Sequence, residues 1–288
     1  MDSASLFAEE ASQPGATPER LALLIARLAF PDLPVDDYLD RLDELAEQVA
    51  PPVLAASGGE ARAQALLTGV NEQLGFRGNH DHYYDAANSY LNVVLERRVG
   101  LPILLCVVCM ALGRRLGLQV DGIGLPGHFM ARYQDAAGSW LLDPFHGALL
   151  RPNEAGDYLA RLFNRPVMLP ENVFAPVTPI ALAQRILNNL RNVYLGSDDY
   201  EMAARVVDYM LALTPNSVYL WQERGVVAYR NGDLEAATRA LRRYFFLTGR
   251  LPLVFAEAPP LPEVHLGDAD RQLLGLLREL DELRMRLN

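Results

Sequence analysis

Gly100-Leu101-Pro102-Ile103-Leu104-Leu105-Cys106-Val107-Val108-Cys109, then Pro126-Gly127-His128-Phe129, then Trp140-Leu141-Leu142-Asp143-Pro144-Phe145 are the stretches whose reading decides the fold. Pro102 opens an apolar helix that runs to about Leu116 and closes at Gly117, since proline suits the first helical position and glycine the one past the last. Leu118 to Ile123 reads as a strand. His128 to Tyr133 and Ser139 to Leu142 read as two more, joined by the polar loop Gln134 to Gly138. Adjacent antiparallel strands can set His128 and Asp143 side by side.

A helix, a His-bearing strand and an Asp-bearing strand make a papain-like arrangement. There a thiolate at the helix N-terminus is activated by the His, which the Asp orients. In this chain the first helical turn, Leu101 to Leu105, holds no nucleophile. Cys106 lies four residues after Pro102, on nearly the same face but roughly 6 Å deeper along the axis. A hydrogen bond to the His needs roughly 3 Å, and the field of a helix N-terminus fades past the first turn. Flanked by Leu104, Leu105, Val107 and Val108, Cys106 reads as a small buried core thiol; a thiol-enzyme reading needs a register that brings it to His128. Cys106-Val107-Val108-Cys109 is formally a CxxC. A redox pair wants its first Cys at the helix start in reach of water, and a zinc site wants two more ligands. Among His80, His82, His128, His146 and His265 only His80-x-His82 is a tight pair, so no metal and no cofactor is expected.

A lone His on a strand is ordinarily a structural hydrogen-bonder, but the Pro-Gly before His128 and the Asp at a partner position favour a His128–Asp143 pair. Asn88, Ser89, Tyr84 and Phe129 are the candidates for lining a cleft beside it. Asn88 and Ser89 can equally cap a helix. The run His80 to Asp85 can form a polar pocket wall or a solvated loop. Arg97 and Arg98 read as a surface pair or as ion-pair partners.

Outward from the centre, residues 1–80 read as helices. Thr17-Pro18-Glu19 gives an N-cap, a first-position proline and an acid in the first turn, followed by Leu21, Leu24, Ile25 and Leu28 on one face. Pro31 to Pro34 ends that helix. A second carries Leu39, Leu42 and Leu45, with Pro51-Pro52 and Ser57-Gly58-Gly59 as breaks. Ala61 to Leu74 is a third helical pattern, and Ala86 to Arg98 a fourth. Beyond residue 178 a shift of 34 residues aligns Asp199 with Asp233, Glu201 with Glu235, Ala203 with Ala237 and Arg205 with Arg239. Thirty-four is the tetratricopeptide period, so Leu182 to Leu247 reads as two helix hairpins. After a Pro-rich connector, Asp268 to Leu287 reads as a capping helix with Leu273, Leu276, Leu280, Leu283 and Leu287 at 3-4 spacing. The expected divisions are 1–80, an N-terminal helical region; 81–178, the core; 179–250, two repeats; and 251–288, linker and cap.

Composition excludes several classes. Of 288 residues half are apolar and 22% charged, enough for a real core. Net charge is −10 and no basic run exceeds two residues, which argues against nucleic acid or anionic membrane as partner. No apolar run approaches membrane-spanning length, and the first residues lack the pattern of a signal peptide. Two cysteines three residues apart make no disulfide framework, and a cytoplasmic location is expected. All 26 basic residues are arginine. That excludes Schiff-base chemistry, a phosphate-loop lysine and a lysine base.

The chain resembles the transglutaminase-like core, and more closely the SirB-type subfamily, in which such a core precedes tetratricopeptide-like repeats. Asn88-Ser89-Tyr90-Leu91, Arg98-Val99-Gly100-Leu101-Pro102-Ile103, Leu125-Pro126-Gly127-His128-Phe129 and Asp143-Pro144-Phe145 carry the resemblance, which spans about residues 60–250. It implies an α+β, mostly helical protein: a papain/transglutaminase-like core with a short antiparallel sheet, followed by helical hairpins. In catalytic members the nucleophile lies in a Gly-x-Cys at the helix start. Counting back about fifteen residues from Gly117 lands on Pro102. His128 and Asp143 thus match the family's His and Asp, while Pro102 holds the nucleophile's place; SirB-type sequences share this Gly-x-Pro. Three functions follow as expectations: a non-catalytic protein whose remnant cleft and repeats bind a peptide or protein in a regulatory role; a cysteine-dependent acyltransferase or protease using Cys106, His128 and Asp143; or a scaffold with no cleft ligand.

Overall fold

The computed structural model describes residues 2–170, 172–255 and 267–287. Residues 9–193 cluster as one unit, and residues 2–8 with the chain from Tyr194 onward as a second. After α1 (Ser3–Ser12), the first unit runs through α2 (Pro18–Ala26), α3 (Val35–Ala55) and α4 (Gly59–Thr68). The two-residue strands β1 (Arg77–Gly78) and β2 (Val99–Gly100) pair in parallel. They bracket a loop, the 3-10 turn Ala86–Ser89 and α5 (Leu91–Arg97). Then come α6 (Pro102–Arg115), strands β3 (Gln119–Leu125), β4 (His128–Asp135), β5 (Gly138–Asp143) and β6 (Ala148–Leu150), and helices α7 (Ala155–Phe163) and α8 (Pro179–Gly196). The four strands form one antiparallel sheet in sequence order. Helix dominates around this small sheet, the α+β architecture that the sequence implies.

Helix α6 is apolar on every side because every side is buried: Leu104 through Cys109, Ala111 and Leu112 are fully excluded from solvent. Each leucine or valine so placed contributes about 1.5–3 kcal/mol over leaving it exposed. Gly113 lets β3 approach, since a Cβ there would lie 2.4 Å from Val120 Cγ2. At the far end of α6, Arg115 pairs at 3.2 Å with Glu19, a first-turn acid of α2 that is buried.

Local corrections have physical causes. Thr17 sits at the N-cap of α2 in extended backbone but makes no side-chain cap bond. Pro51-Pro52 does not end α3, which continues to Ala55. Pro52 has no N–H to offer the Gln48 carbonyl, and Gln73 Nε2 donates to it instead at 2.7 Å. The third helix turns from α to π geometry over Gly69–Gln73. The fourth divides at Tyr90, which is extended; its second part closes at Arg98, in the left-handed region at φ 59°.

The second unit contains α9 (Tyr200–Leu213), α10 (Val218–Arg230), α11 (Leu234–Leu247) and α12 (Asp268–Leu287). The bounds of α9 and α11 are offset by 34 residues at both ends, and so are their caps. Asp199 accepts from the Met202 N–H at 3.0 Å and Asp233 from the Ala236 N–H at 2.9 Å. Gly225 of α10 lies against Leu241 of α11, the small residue such a pair requires. Leu273, Leu274, Leu277 and Leu280 of α12 are buried with Leu241, Tyr244 and Phe245 of α11. Leu276, expected inward, is only partly buried and Leu277 takes the inner position. Leu283, Leu287 and His265 lie outside the residues whose side chains are described. No helix of the described residues is long and apolar enough to cross a membrane.

Candidate functional site

Strands β3 and β4 pair Leu125 with His128, leaving Pro126-Gly127 as a two-residue turn. Gly127 has φ +74°, so proline followed by a left-handed glycine sets the turn and fixes His128 as the first residue of β4. Between β4 and β5 Ala131 faces Leu142. Continued one step, that register sets Asp143 opposite Met130, two residues from His128 on the same face. Diagonal neighbours of this kind are within reach of a long side chain.

Asp143 is fully buried and is the hub of the site. Its Oδ2 meets His128 Nε2 at 2.7 Å and His146 Nδ1 at 2.9 Å, and accepts from the Tyr158 hydroxyl at 2.8 Å. Its Oδ1 accepts from the N–H groups of Phe145 at 3.0 Å and His146 at 3.2 Å. Burial by itself would raise the Asp143 pKa. The hydrogen bonds from His128 and His146, the interaction with His128 and the Tyr158 hydroxyl outweigh it and hold the carboxyl well below the usual range. The same hub pushes the Tyr158 phenol up, through burial and then the Asp143 charge. Among the described residues, His128, Asp143 and His146 are the group that could hold a cation, with ligand atoms within 4.8 Å of one another. Both ring nitrogens converge on Asp143 Oδ2 itself at hydrogen-bond distance. An ion about 2.0–2.2 Å from each ligand would have to part them.

Pro102, at the first position of α6, and His128 line one cavity of about 270 Å³. Ile103, Phe129 and Tyr83 line it too. Helix α8 adds Arg185, Asn188 and Asn189 to the lining. Cys106 is buried elsewhere: its thiol donates to the Phe129 carbonyl at 3.5 Å. Burial, then Cys109 and Asp143, push that thiol well above its ordinary value, while burial pushes Cys109 up to about 12. A reactive cysteine needs the opposite setting.

Of the other sequence candidates, Phe129 is on the cavity wall, whereas Asn88, Ser89 and Tyr84 are not among its lining residues. Asn88 is buried and works as a clamp. Its amide accepts from Asn79 Nδ2 at 2.9 Å and donates to the His82 carbonyl at 2.7 Å, and its own carbonyl accepts from the N–H of Leu101, the N-cap of α6. This ties the Tyr83 loop to the start of α6. The cap of the 3-10 turn is Asp85, not Asn88 or Ser89. Ser89 is buried, and Tyr84 is 81% exposed. Arg97 pairs with Asp85 at 3.3 Å, while Arg98 stacks over Phe76. Sequence reasoning missed Tyr158 and the α8 wall; His146, three residues after Asp143, carried a spacing signal.

A family profile described as the transglutaminase-like superfamily matches residues 36–188 and one for the tetratricopeptide repeat matches residues 190–279. The chain belongs to the SirB-type transglutaminase-like family. It is 36% identical over 234 residues to a UPF0162 protein of Xylella fastidiosa, covering 78% of this chain and 82% of that one. A UPF0162 protein of Pseudomonas aeruginosa is 31% identical over 218 residues, 76% of this chain and 79% of its own. Protein SirB1 of Salmonella typhimurium is 26% identical over 215 residues, 72% of this chain and 76% of its own. No solved structure matches. The tetratricopeptide match begins at residue 190 and takes in helices α9, α10 and α11.

Proposed function

We propose that this SirB-type chain is a non-catalytic transglutaminase-like protein whose remnant cleft binds a peptide segment of a protein partner in a regulatory role. The observation that carries this reading is that one cavity is lined both by an intact, Asp143-held His128 and by Pro102, a residue without a nucleophile. Cys106, the nearest thiol in sequence, is buried and spends its proton on a backbone carbonyl. The tetratricopeptide helices support the binding half of the reading, since such repeats build surfaces that generally engage proteins.

The test is an array of blocked hexapeptides probed with the full chain, followed by titration of the hits. A subset binds saturably, and Phe129→Ala or His128→Ala weakens it about tenfold or more, as loss of a buried contact does. Absence of any bound peptide, affinity indifferent to both variants, or peptide turnover that Cys106→Ala abolishes would each overturn the proposal.

A further inference from the structure

The α8 wall of the cavity has a charge that the rest of the site does not answer. Arg185 has no carboxylate partner among the described residues. Its guanidinium lies 5.8 Å from the Phe129 ring centroid. It also covers Gly124, where a Cβ would sit 2.4 Å from Nη2. Gly124 and Phe129 face one another across β3 and β4, so the guanidinium is seated on that cross-strand pair: a bare glycine makes room and an aromatic face supports the cation. Asn188 and Asn189, one turn along α8, bring amide groups with no hydrogen-bond partner among the described residues. In the same cavity the His128 side chain is only 5% exposed; Nε2 is engaged by Asp143, and Nδ1 has no partner among the described residues. Among the described residues the lining holds one fixed cation and no carboxylate, in a protein of net charge −10.

From this we infer that the cleft is a carboxylate receptor, with Arg185 as the residue that selects an acid over its amide. The guanidinium presents parallel N–H donors that match a carboxylate's two oxygens, and the asparagines add neutral donors. The charge count favours a monoanion. Arg185 is the one permanent cation of the lining among the described residues, and the Asp143 carboxylate stands against His128. A phosphate dianion would face an uncompensated negative group. The volume, about 270 Å³, lies below the range of about 300–1,000 Å³ usual for a whole small-molecule ligand. A Glu or Asp side chain, or the C-terminal residue of a peptide, fits inside with the rest of the chain outside. This inference rests on the peptide-binding reading above and narrows it.

The experiment uses the full-length protein and pairs of blocked peptides from the array that differ only as Glu against Gln or Asp against Asn. Glutarate, inorganic phosphate and phosphoserine analogues of the same peptides complete the set, with affinities read by calorimetry. The acid binds about tenfold or more tightly than its amide, the scale expected for a hydrogen-bonded charged group. Arg185→Met reduces that ratio below about threefold, and Asn188→Asp lowers acid binding in the same way. Gly124→Ala, which displaces only the guanidinium, does likewise in a chain whose unfolding midpoint is unaltered. Glutarate that competes only at concentrations far above the peptide's assigns the carboxylate to a polypeptide. Glutarate as tight as the peptide assigns it to a free acid and keeps the receptor chemistry. Equal binding of acid and amide, an acid preference that survives Arg185→Met, or preference for phosphate overturns the inference while peptide binding itself stands. If no array peptide and no glutarate binds, the peptide-binding reading falls with it.

Discussion

At the scale of single residues, Asp143 has the largest calculable consequences. It is buried and answers five donors, two of them backbone N–H groups. Asp143→Ala strands both histidines and Tyr158 and lowers stability by about 3–5 kcal/mol, the range for breaking a buried charged pair from one side; chemical denaturation measures it. The folded-state pKa of Asp143 is depressed, so its contribution is present above the unfolded value of about 3.9 and is lost as pH falls through the folded value. Denaturant midpoints measured between neutral pH and about pH 3 therefore fall more steeply for the native sequence than for Asp143→Asn. Cys106 and Cys109 are fully buried with raised thiols. Iodoacetamide at mildly alkaline pH leaves both unmodified in the native protein and labels both once it is unfolded. Prompt native labelling of Cys106 would place it in contact with solvent and return the thiol-enzyme reading.

At the scale of elements, close approach and capping give the sharpest expectations. Gly113→Ala forces a methyl into Val120, a stiff β-branched neighbour, and costs about 1–3 kcal/mol as an overpacked core does. Asp199→Ala and Asp233→Ala each remove a side-chain cap from α9 or α11 and cost about 1 kcal/mol in thermal or denaturant unfolding. These elements are also where sequence reading succeeds and fails for visible reasons. The 34-residue shift locates α9 and α11 because their caps and small residues are local signals. The His128–Asp143 pair is legible because the Pro126-Gly127 turn leaves β4 one starting point and the strands one register. Pro51-Pro52 misleads because the replacement donor, Gln73, comes from another element. Helix α7, which supplies Tyr158, has nine residues, shorter than the window over which helical periodicity is read. Arg185, Asn188 and Asn189 stay hidden because their stretch reads as a repeat helix, and only packing within the first unit turns that face to the cavity.

At the scale of the whole molecule, the proposed function reads the chain as the orienting half of a thiol-enzyme site without its reacting half. The helix, the His strand and the Asp strand are all in place, and the hydrogen bonds that hold His128 are complete on one side of its ring. With no lysine in the sequence, the chain also offers no side-chain amine for an isopeptide bond to itself. An amine-reactive ester therefore attaches only at the chain's α-amino group, which intact-mass spectrometry reads directly. The central claim is that Pro102 stands where a nucleophile would face His128. It is tested most directly by placing a thiol there with Pro102→Cys and following alkylation against pH. The account predicts a thiol at the helix start that titrates below the ordinary cysteine value of about 8.5. Its rate near neutral pH is about tenfold or more above that of a free thiol, and the enhancement disappears in Pro102→Cys with His128→Ala. A thiol at position 102 as inert as Cys106, or one whose reactivity ignores His128, would contradict it.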